Sequence, residues 1–355
     1  VVWLATGGTI MFLRAMLDKR VVETTQNDGA GGKPQFFTLV GTPEAFRMLG
    51  WEVIVMCNDD VACGGGLPVV FSSNLDIKEI TAENLHLCEA LMSGFAKALA
   101  ASGTVLITGE TAVMRHSITA FCDRSNPAQL IVNWAGTCLG LMRTDRPPNG
   151  STIRPGMAVV GLGEDGYRCN GGTALTNLLL QTWGPRIEDV LASQEAMEFA
   201  NQLVIPSRSY ARMLSYLTGW QNNGIPGDPV ARIHGMAHIT GGGVWNKFRE
   251  LLPVGVGANL HNMLNPPEVL LRAQELSYRL GGEKVITDKQ CYGTFHGGCG
   301  ALLVVDPQDA DLVCWEASNF GHRATVVGET TESIGNEVVI QSRFLRGKLL
   351  SSLHE

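Results

Sequence analysis

Residues His234 to Pro253 read HGMAHITGGGVWNKFRELLP, and the rest of the chain is best read outward from this stretch. Two histidines, His234 and His238, lead into three consecutive glycines, Gly241, Gly242 and Gly243, and then into an amphipathic segment that Pro253 stops. Glycines let a backbone approach a ligand closely, and the helix they open presents unpaired N–H groups at the positive end of its dipole. The segment is therefore expected to take an anion such as a phosphate; a flexible turn before a surface helix is the competing reading of the glycines alone. The two histidines are four apart, which on a helix would suggest metal ligation. Gly235 and the later glycines argue instead for strand and loop, and leave His238 as the functional candidate beside the triplet.

The chain has 355 residues, long enough for two domains with separate cores. Hydrophobic residues make up 45% and charged residues 17%, the balance of an ordinary globular protein. A net charge of −7 argues against a nucleic-acid partner and leaves small anions as ligands. The nine cysteines (Cys57, Cys63, Cys88, Cys122, Cys138, Cys169, Cys291, Cys299 and Cys314) are scattered with no CxxC pair, which points to free thiols in a reducing compartment and to no zinc site. No apolar run approaches a membrane span, and the early segment Ile10 to Met16 is broken by Arg14, so no membrane partner and a cytoplasmic location are expected.

Three stretches upstream carry chemistry. Val21 to Thr25 reads as a short strand ending in Gln26-Asn27-Asp28-Gly29-Ala30-Gly31-Gly32-Lys33, where an acid, glycines and a lysine can cradle a metal-bound polyphosphate with Lys33 as a point charge; Asp28-Gly29 is equally a hairpin turn. Pro43 to Leu49 reads as helix, and Val53 to Cys57 as an apolar strand running into Asn58-Asp59-Asp60. Adjacent carboxylates at a strand end suggest a magnesium site, or a solvated acidic turn. Thr81 to Ser102 reads as a helix capped by Thr81 and ended by Gly103. The strand Thr104 to Thr108 then delivers Gly109-Glu110-Thr111, a carboxylate and a hydroxyl suited to a cation or a nucleotide hydroxyl.

Arg143 to Pro155, rich in proline, glycine and polar residues, is the expected domain boundary, dividing the chain into 1–148 and 149–355. Beyond it, Gly161 to Gly166 formally matches GxGxxG, but polar loop follows until a helical run near Thr173, so a nicotinamide site is a distant reading. A helix capped by Ser207, and a strand, helix, strand tail over Ala301 to Val305, Pro307 to Phe320 and Ala324 to Gly328, complete the pass.

AHITGGG, followed by Asn246, Arg249 and Leu252-Pro253, closely resembles the signature of the aminoimidazole ribonucleotide synthetase family, the phosphoribosylformylglycinamidine cyclo-ligases. Asp28, Gly29, Gly31 and Lys33 match the family's DGxGTK; MCNDDVACGGGLP lines up with a segment in which Asp60 takes the place of an aspartate; TGETAVM matches GGETAEM; Cys169-Asn170-Gly171 matches Ser-Asn-Gly; and CYGTFHGGCG resembles YRTFNxGxG. The resemblance implies an α/β fold of two domains, an N-terminal ATP- and metal-binding domain whose sheet pairs into a barrel in a homodimer, and a C-terminal α/β domain with the glycine-rich phosphate site. It implies an ATP-dependent ligase closing formylglycinamidine ribonucleotide to aminoimidazole ribonucleotide, with Mg2+ and a monovalent cation as ligands. On that reading Asp28, Asp60 and Glu110 hold magnesium. Lys33, Asp60 and His238 act in catalysis. Gly29, Gly31, Thr111, Asn170 and Gly241 to Gly243 line the ATP and phosphate site.

Several positions depart from the family. Gly32 stands for threonine, Asp59 for asparagine, Ser73 for aspartate, Val113 for a second glutamate, Arg168 for histidine and His296 for asparagine. An arginine at 168 can contact phosphate but cannot exchange protons near neutrality. These departures keep open a paralogue acting on another ATP-activated substrate, and a non-catalytic ligand-binding relative.

Overall fold

The structure, a computed structural model, describes residues 20–220 and 226–353, and the segment Ile10 to Met16 lies outside them. β1 (Val21–Gly29) extends the expected strand by four residues. Gly31 then turns the chain at φ +55°, where a Cβ would come within 2.4 Å of the Cys169 carbonyl oxygen, and Pro34 opens α1 (Pro34–Val40).

The largest departure from the sequence reading is α2 (Pro43–Cys63). Thr42 caps it by accepting the Ala45 N–H, and Pro43 fills its first turn. The run Val53 to Cys57, expected as a strand, is the middle of this helix. Every residue from Glu52 to Asp59 is buried, so the helix is enclosed on all sides and lacks the amphipathic period that separates a helix from a buried strand. Asp59 and Asp60 are therefore successive helical positions, about 100° apart around the axis, not the end of a strand.

The first unit continues with β2 (Gly66–Ile77), α3 (Leu85–Ser102), β3 (Val105–Val113) and β4 (Val132–Arg143). α3 starts at Leu85 and not at Thr81, because Thr81 and Asn84 bond each other's backbone N–H in a turn before it; Gly103 ends it at φ +72° as expected. Strand order is β1-β4-β2-β3, antiparallel except for the β2–β3 pair. β3 is an edge strand with Leu106, Ile107 and Val113 exposed. Gly109, Glu110 and Thr111 lie inside it, not at its end.

The second unit holds β5 (Ala158–Gly163), α4 (Gly172–Trp183), α5 (Ile187–Ala192), α6 (Gln194–Leu203), α7 (Ala211–Leu217), β6 (Ile233–His238), α8 (Gly243–Leu251), β7 (Val256–Leu260), α9 (Glu268–Leu280), α10 (Asp288–Thr294), β8 (Cys299–Val305), α11 (Ala310–Asn319), β9 (Ala324–Glu332), β10 (Val338–Gln341) and β11 (Leu349–Ser351). Its seven-stranded mixed sheet runs β11-β10-β7-β9-β5-β8-β6. The change of sheet falls between Arg143 and Ala158. Gly161 and Gly163 sit within β5, and a Cβ on Gly161 would meet Val327 and Cys299 within 2.8 Å, so these glycines serve sheet packing and open no dinucleotide turn. Ser207 is likewise not the cap of α7, which begins at Ala211.

Two glycines bring α2 and α3 together. A Cβ on Gly50 would lie 2.3 Å from the Phe95 nitrogen, and one on Gly94 would lie 1.9 Å from the Arg47 carbonyl oxygen. Since α2 carries the site carboxylate, this crossing sets its height over the sheet. Gly94→Ala is expected to destabilise the protein by about 2 kcal/mol or more through forced separation of the helices, read as a lower urea midpoint with an unchanged m-value.

Candidate active site

The site forms where α2 meets β1 on one side and β6 on the other. β1 brings Asp28, α2 brings Asp60, and the last residue of β6 is His238. His238 Nδ1 lies 2.6 Å from Asp60 Oδ1, and His238 Nε2 lies 2.6 Å from an Arg168 guanidinium nitrogen. A guanidinium offers donors only, so Nε2 accepts and Nδ1 carries the proton that goes to Asp60. Asp28 Oδ1 accepts the Gly29 N–H at 2.7 Å. Burial raises the Asp28 carboxyl above its ordinary value and neighbouring Asp60 adds to this, while the Gly29 N–H, His238 and Lys247 pull it down. Two carboxylates in this state gain from a cation between them.

Asp59, one position earlier on α2, is turned away from this pair and fully buried. It accepts the N–H groups of Tyr210 and Ala211 at 2.8 Å each, the Ser209 hydroxyl at 3.4 Å and Arg168 at 3.3 Å. Of the two adjacent aspartates, Asp60 is the one that faces Asp28.

Lys33 does not face a ligand. Its ammonium is fully buried, 2.8 Å from Glu52 Oε1 and 2.7 Å from the Ile205 carbonyl. Burial opposes the Glu52 charge, but Lys33 and the Ser207 N–H and hydroxyl hold that carboxyl below its ordinary value. The expected point charge on phosphate is thus half of a structural ion pair within the first unit, hydrogen-bonded to Ile205 and Ser207 of the second.

Glu110 is also elsewhere. The register aligns Asp28, Gly136, Ser73 and Gly109 in one row across the sheet, so Glu110, one residue on, projects from the opposite face. Three strand spacings, about 14 Å, separate β3 from β1 as well. One ion shared by Asp28, Asp60 and Glu110 of a single chain is not built, and Thr111 shares this distance on the same edge strand. At Ser73 the hydroxyl accepts the Trp134 indole N–H at 2.8 Å, and Asp76, three residues on, faces the other side of the sheet and does not replace a carboxylate there.

The glycines converge. Gly242 and Gly243 hold φ +89° and +61°, and a Cβ on Gly243 would lie 2.1 Å from the Tyr292 carbonyl oxygen. Asn170 lies against Gly241, its amide nitrogen 3.5 Å from where a Cβ would be, and its buried Oδ1 has no hydrogen-bond partner among the described residues. Gly32 touches Gly172, so the turn after β1 packs on the start of α4 next to the start of α8. The result is a cradle of backbone at two helix N-termini, with an orphaned amide oxygen, beside Asp28 and Asp60. Asp28 and Asp60 suit magnesium, which binds through one or two carboxylates and completes its shell with phosphates and water. Among the described residues no group of three or more His, Cys, Asp or Glu could hold a metal unaided.

Comparison with known proteins gives the family of the chain. Two family models match: AIR synthase related protein, N-terminal domain, over residues 13–141, and AIR synthase related protein, C-terminal domain, over residues 225–341. The chain belongs to the AIR synthase related family. Among its relatives are phosphoribosylformylglycinamidine cyclo-ligases of Symbiobacterium thermophilum, 29% identical with 88% of this chain and 81% of the relative covered, and of Thermoanaerobacter pseudethanolicus, 24% identical with 90% and 86% covered. Among solved structures, a hydrogenase maturation protein HypE in complex with ATP has the same fold, with a TM-score of 0.57 at 16% identity, covering 95% of this chain and 86% of that one.

Two features of this family member escaped the sequence reading. Lys247, on α8, is half-buried and makes no hydrogen bond or ion pair among the described residues, while its charge acts on Asp28. Its position four residues after Gly243, on the same helix face, was the available signal. The second feature is the pair of buried carboxylates Glu52 and Glu164, which no spacing rule marks and which Asp59 joins from the acidic run.

His296, where relatives carry asparagine, is structural. Its Nε2–H donates to the Gly166 carbonyl at 2.8 Å and its Nδ1 accepts the Gly298 N–H at 3.1 Å. Burial pulls its pKa down from 6.5 to about 4. The unfolded chain therefore binds the extra proton first, and stability falls as pH drops from 6.5 toward 4. In His296→Asn this loss, on the order of 2–3 kcal/mol, should disappear, as measured by urea unfolding of both proteins at pH 7 and pH 4.5.

Proposed function

We propose that this protein is an ATP-dependent cyclo-ligase that closes formylglycinamidine ribonucleotide to aminoimidazole ribonucleotide, releasing ADP and phosphate. The observation that carries this reading is the Asp28–Asp60 pair set beside the backbone cradle of Asn170 and Gly241 to Gly243. The names of the relatives and the ATP-bound HypE neighbour support it.

The chemical problem is that an amide oxygen leaves poorly. Transfer of the γ-phosphoryl group to that oxygen converts it to a phosphate ester, and attack by the neighbouring amidine nitrogen then closes the imidazole ring and expels phosphate. Such a transfer needs alignment and charge neutralisation more than covalent help from the protein. Asp28 and Asp60 would hold magnesium, which would supply neutralisation of phosphate charge. The Gly242 and Gly243 backbone and the two helix N-termini would receive a phosphate, and Asn170 would use its free amide oxygen as an acceptor. Lys247 would supply the mobile cation that the buried Lys33 does not.

The exposed edge and apolar side chains of β3 support a homodimer through the four-stranded sheet, with Glu110 and Thr111 reaching a nucleotide only from a second copy. The free cysteines support a reducing, cytoplasmic setting. Ser73, closed off by Trp134, and Arg168, enclosed by carboxylates, favour a second reading: a paralogue that phosphorylates another amide or phosphoester.

Phosphate release from Mg·ATP with and without formylglycinamidine ribonucleotide, with mass spectrometry of the product, separates the two. Substrate-dependent phosphate and the dehydrated imidazole product are expected; ATP binding without that dependence moves the assignment to the paralogue. In Asp60→Ala, substrate-dependent turnover should fall about 10–100-fold, and full turnover would remove Asp60 from the metal site.

A further inference from the structure

The cyclo-ligase reading leaves unexplained why an arginine, in strained backbone, stands against the site histidine. Arg168 adopts φ +61°, a left-handed conformation rare for a non-glycine residue, and this turns its guanidinium inward. The side chain is almost wholly buried. One nitrogen donates to Glu164 and to the Arg208 carbonyl at 3.0 Å; the other donates to Asp59 at 3.3 Å and reaches His238 Nε2 at 2.6 Å. Its Nε–H is buried without a partner among the described residues, and the Tyr210 ring lies 5.4 Å from the guanidinium carbon. Strain and an unsatisfied donor persist only where the surroundings over-determine the geometry.

We propose that Arg168 is a positioning residue: by occupying His238 Nε2 it fixes the imidazole in the Nδ1–H form, and so holds Asp60 by Oδ1 and leaves its Oδ2 available to the magnesium of Mg·ATP. The proposal rests on the Mg·ATP site described above. Arg168 has no acceptor and does not give up its proton near neutrality, so only one tautomer of His238 satisfies both 2.6 Å contacts. Glu164 and Asp59 anchor the guanidinium from two sides, which prevents it from swinging toward a phosphate. Both ring nitrogens are committed, and His238 therefore acts as a link in a chain from Arg168 to Asp60, not as a general base or acid.

The test is long-range proton–nitrogen NMR of protein labelled with 15N in histidine, with the His238 signals assigned by their loss in His238→Gln, alongside Mg·ATP affinity by calorimetry. Wild type should show Nδ1 protonated and Nε2 unprotonated. Arg168→Lys, which keeps one donor, should retain that pattern, and Arg168→Met should lose it together with about tenfold or more of Mg·ATP affinity. A protonated Nε2 in wild type would overturn the proposal. So would an Arg168→Met protein that keeps the wild-type pattern and binds Mg·ATP within about twofold of wild type. If Arg168→Met does not fold, the wild-type spectrum and the lysine variant decide. Should wild type lack turnover with formylglycinamidine ribonucleotide, the cyclo-ligase reading falls, while the spectrum and the affinity still decide the role of Arg168.

Discussion

Three buried carboxylates hold one short segment of backbone, and the site depends on that arrangement. Glu52 accepts the Ser207 N–H at 3.0 Å, Glu164 the Arg208 N–H at 3.1 Å, and Asp59 the N–H groups of Tyr210 and Ala211. Glu52 and Asp59 come from α2 in the first unit, Glu164 from the loop after β5 in the second. Four donors leading into α7 that would otherwise lack partners are satisfied, those of Ser207, Tyr210 and Ala211 across the junction and that of Arg208 within the second unit, and α7 gains negative charge at its N-terminus. Removing one carboxylate would leave buried donors or cations uncompensated, which costs far more than an exposed hydrogen bond contributes.

That junction fixes α2 in height and rotation. With Asp59 turned toward α7, Asp60 is turned by one helical step toward β1 and β6, where Asp28 and His238 stand. Adjacent acids on a helix can thus do unlike work: one is an internal cap, the other faces the ligand. Lys33 follows the same logic. Its pairing with Glu52 ties the turn after β1 to α2 and to Ile205, and this keeps Gly31 and Gly32 against the Cys169 to Gly172 loop. The glycine cradle is held in shape by ion pairs that never meet the ligand.

Much of this was legible where local chemistry decides conformation. The glycine triplet opens a helix, β6 is a strand ending in His238, and Gly103 stops α3, because positive φ, helix dipoles and β pairing are short-range rules. What misled was burial. A helix surrounded on all sides has no polar stripe, so Val53 to Cys57 looked like a strand and Asp59-Asp60 like its tip. Glu110 was misplaced because a strand's end and its middle look alike in sequence, and one residue of register moves a side chain to the other face. Lys33 was misjudged because no sequence pattern distinguishes a lysine that meets phosphate from one that meets a buried glutamate 19 residues away.

The departures from the family then read as one coordinated change. At position 73 a hydroxyl held by Trp134 stands where the resemblance implies a carboxylate, and Asp28 and Asp60 are the acids that face each other here. At position 168 a fixed cation replaces a group that could exchange protons, and it is balanced by Asp59 and Glu164. With both ring nitrogens of His238 committed, the site has little means of moving protons and strong means of orienting phosphate: backbone N–H groups, two helix N-termini, Lys247, unpaired among the described residues, and a carboxylate pair. A reaction whose barrier is lowered by neutralising and aligning a transferred phosphoryl group is the kind this geometry can accelerate. The amidine proton released on ring closure would then pass to solvent or to the departing phosphate, whose oxygens are the strongest acceptors beside the new ring.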